Sequence, residues 1–574
     1  MIALINKKNS TLFIGIIVFL FIFSIRVNAQ TPILKEGFPI SFTSHPGFTS
    51  LDGPVAADID ADGELEIVTN LVNKMYVINS DGTYADGFPV TITHVMQHSP
   101  AVGDLDGDGS LEIVAQARNA NINETYVYAW HSDGTVVSGF PVTFGDGFYE
   151  SPVLYDLDGD GKLEILSSFG NFIYVLDGSG NPMPGWPVEV GHINNTRPGI
   201  GDVDGDGFAD VIVGTYKIDA DMDEESGKLY AINFAGEILA GFPVEADSGL
   251  GFHRSDPVLA DFNGDGVLDI GVVMTSFWTS FISRTAVFDG GGNLLSKWDT
   301  GYFGSRLSVA DLDSDGSLDI LTWSVDSIYA YNIFNGMIKG WPIEIDENLL
   351  NYNGYEGAVG NIDSSEGYEI IQGSSATRSD TSWVWGYSSD GLSMPWSPLI
   401  LFGFQLSVAL LTDLEGDGIV DMIRTSNTHI TEEFLIYAFE VPGSNYDPDE
   451  FPWPMYGHDR YHTGQYGFVP TDSVIISVDD GPDHPILSEF ELYQNYPNPF
   501  NSSTIIEYYL PHRGRVKLTI YNLLGEEVDQ LDDGMMSPGI HSTNWNAGNL
   551  PTGLYFSKLT INNVSVTKKM LYLK

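Results

Sequence analysis

The sequence predicts an all-β fold: a β-propeller of eight blades, with seven as the alternative, followed by a small C-terminal β-sandwich. Three observations carry this. An acidic motif recurs through the middle of the chain at steps of 46, 52, 46, 59, 50, 50 and 52 residues. Short apolar runs of strand length flank every copy. The last stretch then changes to alternating apolar residues punctuated by Gly, Asn and Pro, the pattern of a small antiparallel sandwich.

The motif opens as Asp58-Ile59-Asp60-Ala61-Asp62-Gly63-Glu64-Leu65-Glu66 and begins again at Asp104, Asp156, Asp202, Asp261, Asp311 and Asp413, with a degraded copy at Asn361. A short strand such as Pro54-Val55-Ala56-Ala57 precedes it, and strands such as Lys74-Met75-Tyr76-Val77-Ile78 follow. A turn then leads to Gly87-Phe88-Pro89-Val90, which returns as Gly139-Phe140-Pro141, Gly185-Trp186-Pro187, Gly241-Phe242-Pro243 and Gly340-Trp341-Pro342. Four short strands per unit, repeated, describe propeller blades. Gly37-Phe38-Pro39-Ile40 stands before the first full repeat and is expected to be the outer strand of the last blade, removing two sheet edges. Residues 451–464 are expected to return across that blade, with His458 and His462 packing at the seam for want of a third metal ligand.

Each intact loop places acids at positions 1, 3, 5 and 9 and Gly at position 6. Alternate side chains of a tight loop converge, and carboxylates packed that closely repel unless a hard cation joins them. All-oxygen ligation in a flexible loop selects Ca²⁺. The expected ligands are Asp58, Asp60, Asp62 and Glu66; Asp104, Asp106, Asp108 and Glu112; and Asp156, Asp158, Asp160 and Glu164. They continue with Asp202, Asp204, Asp206 and Asp210; Asp261, Asn263, Asp265 and Asp269; Asp311, Asp313, Asp315 and Asp319; and Asp413, Glu415, Asp417 and Asp421. Asn263 weakens its loop. The copy at Asn361 has Ser365 at position 5 and a shifted Gly367, and is expected to hold no calcium. The insertion at 219–227 reads as a solvated hairpin tip. These loops and their spacing resemble the FG-GAP/VCBS repeat family over roughly residues 35–465, a resemblance that implies a calcium-bearing propeller of about seven sites and leaves function open.

The ends address the protein. Residues 1–29 read as a signal peptide, with Lys7 and Lys8, an apolar core from Leu12 to Phe23, and Val27-Asn28-Ala29 before the cut. That core is shorter than the ~20 residues of a spanning helix. Residues 30–467 form the expected propeller and 468–488 a linker. Residues 489–574 carry Tyr496-Pro497-Asn498-Pro499-Phe500-Asn501, Gly525, Trp545, Gly553-Leu554-Tyr555 and a basic last residue, Lys574. In order and spacing they resemble the C-terminal sorting domain of type IX secretion cargo. The resemblance implies contact with that machinery, passage across the outer membrane, and release or surface attachment.

Composition excludes other classes. With 25 Lys+Arg against 78 Asp+Glu, the formal charge of −53 lacks the positive field that nucleic acid needs. Hydrophobic residues at 43% and aromatics at 12% exclude simple disorder, and the absence of cysteine excludes disulfides and thiolate chemistry. No Gly-x-Ser-x-Gly elbow, His-Glu-x-x-His or phosphate loop occurs. The connections between blades, at the ends of the inner strands remote from the acidic loops, carry His98, Tyr149, Arg197, His253, Arg254, Tyr302, Arg306 and Tyr355. Two readings stand: an anionic-glycan pocket, with Arg on carboxylate or sulfate and aromatics on sugar faces, or local pairing with acids. Trp383, Trp385 and Trp396 read as strand packing. The expected function is a secreted or surface-attached, non-catalytic glycan- or surface-binding module. The alternatives are a polysaccharide lyase, with His253 or Tyr302 as base and Arg254 or Arg306 neutralising a uronate, and a protein adhesion scaffold.

Overall fold

A computed structural model describes residues 31–43, 52–470 and 491–573, apart from short connections within the last two spans. The chain divides into two units, Met1–Val474 and Ile475–Lys574. Residues 1–29 lie outside the described residues, as does most of the expected linker. No helix among the described residues is long and apolar enough to cross a membrane.

Among the described residues the first unit holds eight antiparallel sheets of four or more strands. The first shows the plan: Val55–Ala57, Glu66–Leu71, Lys74–Ile78 and Val90–Thr91 pair in chain order. The acidic loop joins the first strand to the second, with Ala57 opposite Glu66. The inner strands that begin the others are Ala101–Gly103, Val153–Tyr155, Gly199–Gly201, Val258–Ala260, Leu307–Ala310, Ala358–Gly360 and Leu410–Thr412. Apart from Ser308 and Thr412 these strands carry no polar side chain but the Tyr155 hydroxyl, and they are buried on both sides almost throughout, because each sheet packs face to face with its neighbours.

The packing runs once round. Val68 and Val77 of the first sheet share a core with Ile113 and Trp130 of the second. Equivalent cores join each later pair. The last core sets Ile67 and Tyr76 of the first sheet against Leu410, Ile423 and Phe434 of the eighth. Ile40–Thr43 pairs with Glu433–Glu440 of that eighth sheet, so the N-terminal segment supplies its outer strand as expected. The Gly-Phe/Trp-Pro elements supply a second contact between sheets. Gly87 has φ +87°, and a Cβ there would lie 2.0 Å from the Asp133 carbonyl oxygen in the next sheet's hairpin turn. Gly37, Gly139, Gly185, Gly241 and Gly340 repeat this approach. The indoles of Trp186 and Trp341 donate to Phe234 and Ser389 carbonyls, again one sheet on.

Residues 450–466 do not return across the eighth sheet. They run round the inner strands as a collar. Val359 N–H donates to the Trp453 carbonyl, Leu411 to Pro454, Val102 to Arg460, Leu154 to Tyr461, Ile200 to Thr463 and Leu259 to Gly464. Each donor stands two residues before its acidic loop. The amides on the free edges of six inner strands are thereby satisfied, where burial without a partner would cost ~1–3 kcal/mol each. His458 and His462 are buried in the collar, against Trp453 and the Pro152 carbonyl, as packing residues.

In the second unit, one sheet contains Glu491–Leu492, Ser503–Leu510 and Gly539–Asn546. The other contains Glu527–Met536, Gly514–Asn522, Gly553–Ile561 and Val564–Tyr572. Leu492, Ile506 and Trp545 from the first share a core with Leu518, Leu559 and Met570 from the second.

Candidate metal loops and the axial charge cluster

The acidic loops fold by hydrogen bonds of their own carboxylates. In the first, Asp58 accepts the Asp62 and Gly63 amides at 3.1 Å, and Asp62 accepts Glu64 at 2.9 Å. Glu66 at position 9 reaches back to the Ile59 amide at 2.7 Å. The same clamp recurs as Glu112 to Leu105, Glu164 to Leu157, Asp210 to Val203, Asp319 to Leu312 and Asp421 to Leu414. In the fifth loop Asp269 also accepts from the Asn263 amide at 3.0 Å, and the Asn263 side chain donates to it at 3.1 Å.

These clamps leave carboxylate oxygens facing one another. Asp58, Asp60 and Asp62 offer oxygens within 4.8 Å of each other, as do Asp104, Asp106 and Asp108; Asp156, Asp158 and Glu164; and Asp202, Asp204 and Asp206. Two oxygens on one Ca²⁺ stand at most about 5 Å apart, so the separations fit. The electrostatics fit as well. Burial, with repulsion from Asp60, Asp62 and Asp58, pushes Glu66 up to about 7. Burial likewise pushes Glu164, Asp210, Asp269 and Asp319 to about 7. A buried carboxylate among like charges is the arrangement a divalent cation relieves. The degraded loop keeps the clamp from Glu369 to the Ile362 amide, but Asn361 at position 1 directs its amide to Glu450 at 2.6 Å. Residues 364–366 lie outside the described residues.

At the other end of the inner strands, side chains from several sheets meet the collar. Arg306 donates to Asp52 at 2.7 Å, and its Nε lies 3.4 Å from Asp256. His98 lies 2.9 Å from Asp52 and 3.3 Å from Glu150. Arg197, 1% exposed, donates to the His462 carbonyl. Both guanidiniums lie over the Tyr456 ring, 5.3 Å (Arg197) and 4.7 Å (Arg306) from its centre, while Tyr456 donates to Asp256 at 3.1 Å. Glu356 accepts from the Trp453 indole and the Gly457 amide. Burial opposes the charge on Asp52, yet Arg306 and His98 hold it well below the carboxylate range. Burial pushes Glu150 and Glu356 up to about 7. Burial also works against the His98 imidazolium, but Glu150 and Asp52 outweigh it and raise its pKa.

Of the two sequence readings for Arg197 and Arg306, these contacts are those of local pairing: both arginines turn inward onto acids and the Tyr456 ring. The residues facing them, Asp52, Glu150, Asp256, Glu356 and Tyr456, carried no sequence signal beyond preceding an inner strand or lying in the collar. Tyr149, His253, Arg254 and Tyr355 lie outside the described residues. So does the side chain of Tyr302, and with these go the bases named for the lyase alternative. Trp385 donates to Ser374 at 2.8 Å and packs with Trp396 against the sheet cores. Lys217–Ile218 pairs with Glu225–Ser226 of the 219–227 insertion, whose residues 219–224 are outside the described residues.

No curated protein matches the chain. Among solved structures it is similar to the biofilm matrix protein Bap1 of V. cholerae, at 12% identity over 75% of this chain and 93% of that one, with a TM-score of 0.37. It is similar to the rhamnogalacturonan lyase YesW at 15% identity over 75% and 97%, with a TM-score of 0.40. It also resembles PorZ, a surface component of the type IX secretion system of Porphyromonas gingivalis, at 10% identity over 93% and 100%, with a TM-score of 0.19. Similarity at this level assigns neither ligand nor activity. The C-terminal segment is different: residues 494–572 match the family described as the secretion system C-terminal sorting domain, which marks the chain for type IX export to the cell surface or beyond.

Proposed function

We propose that residues 30–467 form an eight-bladed, calcium-stabilised β-propeller of the FG-GAP/VCBS kind, and that residues 489–574 form the β-sandwich that addresses it for export. The exported protein then works as a rigid, non-catalytic binding platform for a glycan or another surface ligand. The observation that carries this reading is the convergence of carboxylate oxygens to within 4.8 Å in successive loops of one closed series of sheets. Asp58, Asp60, Asp62 and Glu66, with their counterparts, would hold Ca²⁺, and the metal would supply charge neutralisation and loop rigidity. Support for a platform also comes from the core that joins the first sheet to the last and from the collar that occupies the inner edges.

Calcium bound to folded loops and not to the unfolded chain stabilises by mass action, ~2.7 kcal/mol for a site at 100 times its Kd. Thermal unfolding of the full chain in Ca²⁺ and in chelator is the test. A large fall in melting temperature on chelation, restored by Ca²⁺ and not by Mg²⁺, is the expected result. An unchanged melting temperature would overturn the calcium assignment.

A further inference from the structure

The eighth acidic loop differs from the others in what lies in it. Lys35, on the N-terminal segment that supplies the eighth sheet's outer edge, places its Nζ 2.8 Å and 2.9 Å from the two carboxylate oxygens of Asp421 and in contact with Glu415. These are positions 9 and 3 of the loop, two of the four side chains expected on the metal. The lysine is anchored: its backbone N–H donates to the Ala438 carbonyl at 3.0 Å, in a segment where Ile33 and Leu34 already pair with Glu440 and Phe439. Its side chain is 11% exposed, so the ammonium is largely shielded from solvent where it meets the two carboxylates.

A second observation comes from the loop's own residues. Position 3 is Asp in five of the other intact loops and Asn263 in the sixth, but Glu415 here. The extra methylene lets that carboxylate reach a cation arriving from the neighbouring strand. In the first loop, where position 3 is Asp60, the oxygens of Asp58, Asp60 and Asp62 lie within 4.8 Å of one another.

We infer that Lys35 is the resident cation of the eighth loop, so that this loop binds no calcium and works instead as a latch between the N-terminal segment and the last sheet. The inference rests on the calcium reading for the remaining loops and removes one site from the seven expected, leaving six. An ammonium and a Ca²⁺ cannot share Glu415 and Asp421: the ion would lie within a few ångströms of a like charge, and the lysine would have to leave a site where two carboxylates hold it. The latch and the outer-strand pairing act on the same segment, and the ring gains at its join a cross-link independent of calcium concentration.

The test is calcium stoichiometry of the decalcified full chain, by equilibrium dialysis with CaCl₂, for the native protein and three variants. The native chain is expected to bind six ions, and Lys35→Met seven. Asp417→Asn, an exposed position 5 of the eighth loop, is expected to leave the native count at six, while Asp62→Asn in the first loop lowers it to five. Seven ions in the native chain, or a loss of one ion in Asp417→Asn, would overturn the inference and leave the calcium reading standing. Six ions in Lys35→Met would also overturn it, since the lysine would then not be what keeps calcium out. If Lys35→Met does not fold, the Asp417→Asn comparison decides alone. A native chain that binds no calcium would overturn the calcium reading itself.

Discussion

Replacing Gly87 with Ala probes the contact that repeats around the outer rim. The residue has φ +87°, and its added Cβ would stand 2.0 Å from the Asp133 carbonyl oxygen and 2.6 Å from the carbonyl carbon. Two costs follow. An L-residue in left-handed backbone costs ~1–2 kcal/mol. The overlap is with backbone, which cannot swing aside as a side chain would, so the two sheets must separate locally by about an ångström, at the ~1–3 kcal/mol of an overpacked interior. The total is ~2–5 kcal/mol. Gly336→Ala is the matched control, with φ +80° and nothing within 4 Å of the new Cβ, and carries only the first cost. Urea unfolding of both variants in saturating Ca²⁺, followed by intrinsic fluorescence, is the assay. Gly87→Ala should shift the midpoint to lower urea by ~1.5 to 4 times the shift of Gly336→Ala. Equal shifts would refute the claim that this glycine is required by sheet-to-sheet approach.

Further outcomes follow from the same structure. In the decalcified protein the position-9 acids Glu66 and Glu164 are pushed up to about 7 by burial, from the ordinary 4.5 of a glutamate. The folded state then binds more protons than the unfolded chain between those values, and the stability contributed by these groups is lost as pH rises from about 4.5 to 7. Melting temperature measured without calcium should therefore fall across that window, and added Ca²⁺ should abolish the fall; a decalcified protein that gains stability across the window would contradict this. Trp453→Ala removes a fully buried indole from the collar, together with its hydrogen bond to Glu356, and should cost ~3–5 kcal/mol or more in urea unfolding. A loss below 1 kcal/mol would show that the collar does not hold the inner strands.

The acidic loops were legible because Asp and Gly at fixed spacing, repeated at regular steps, stand out from any background. The outer strand at Ile40–Thr43 was legible for a related reason: Gly37-Phe38-Pro39-Ile40 is a copy of an element with a known place in each repeat. The collar was not. It works through backbone carbonyls, which any residue supplies, so residues 450–466 carry no periodicity to read. The direction of Arg197 and Arg306 was equally hidden. A scarce cation in an acidic chain fits a pocket or a buried pair, and only the positions of Asp52, Asp256 and Tyr456 separate the two. Lys35 meets Glu415 and Asp421 across 380 and 386 residues of sequence, a pairing that local patterns do not report.

Calcium in the acidic loops can be located directly. Crystals of the full chain grown in Ca²⁺ and measured at long wavelength give anomalous difference density that locates each ion directly. One peak is expected in each of the six loops beginning at Asp58, Asp104, Asp156, Asp202, Asp261 and Asp311, ringed by the oxygens of positions 1, 3, 5 and 9, with none at Asn361 or Asp413. Loops without anomalous density, in crystals that contain millimolar calcium, would contradict the calcium assignment.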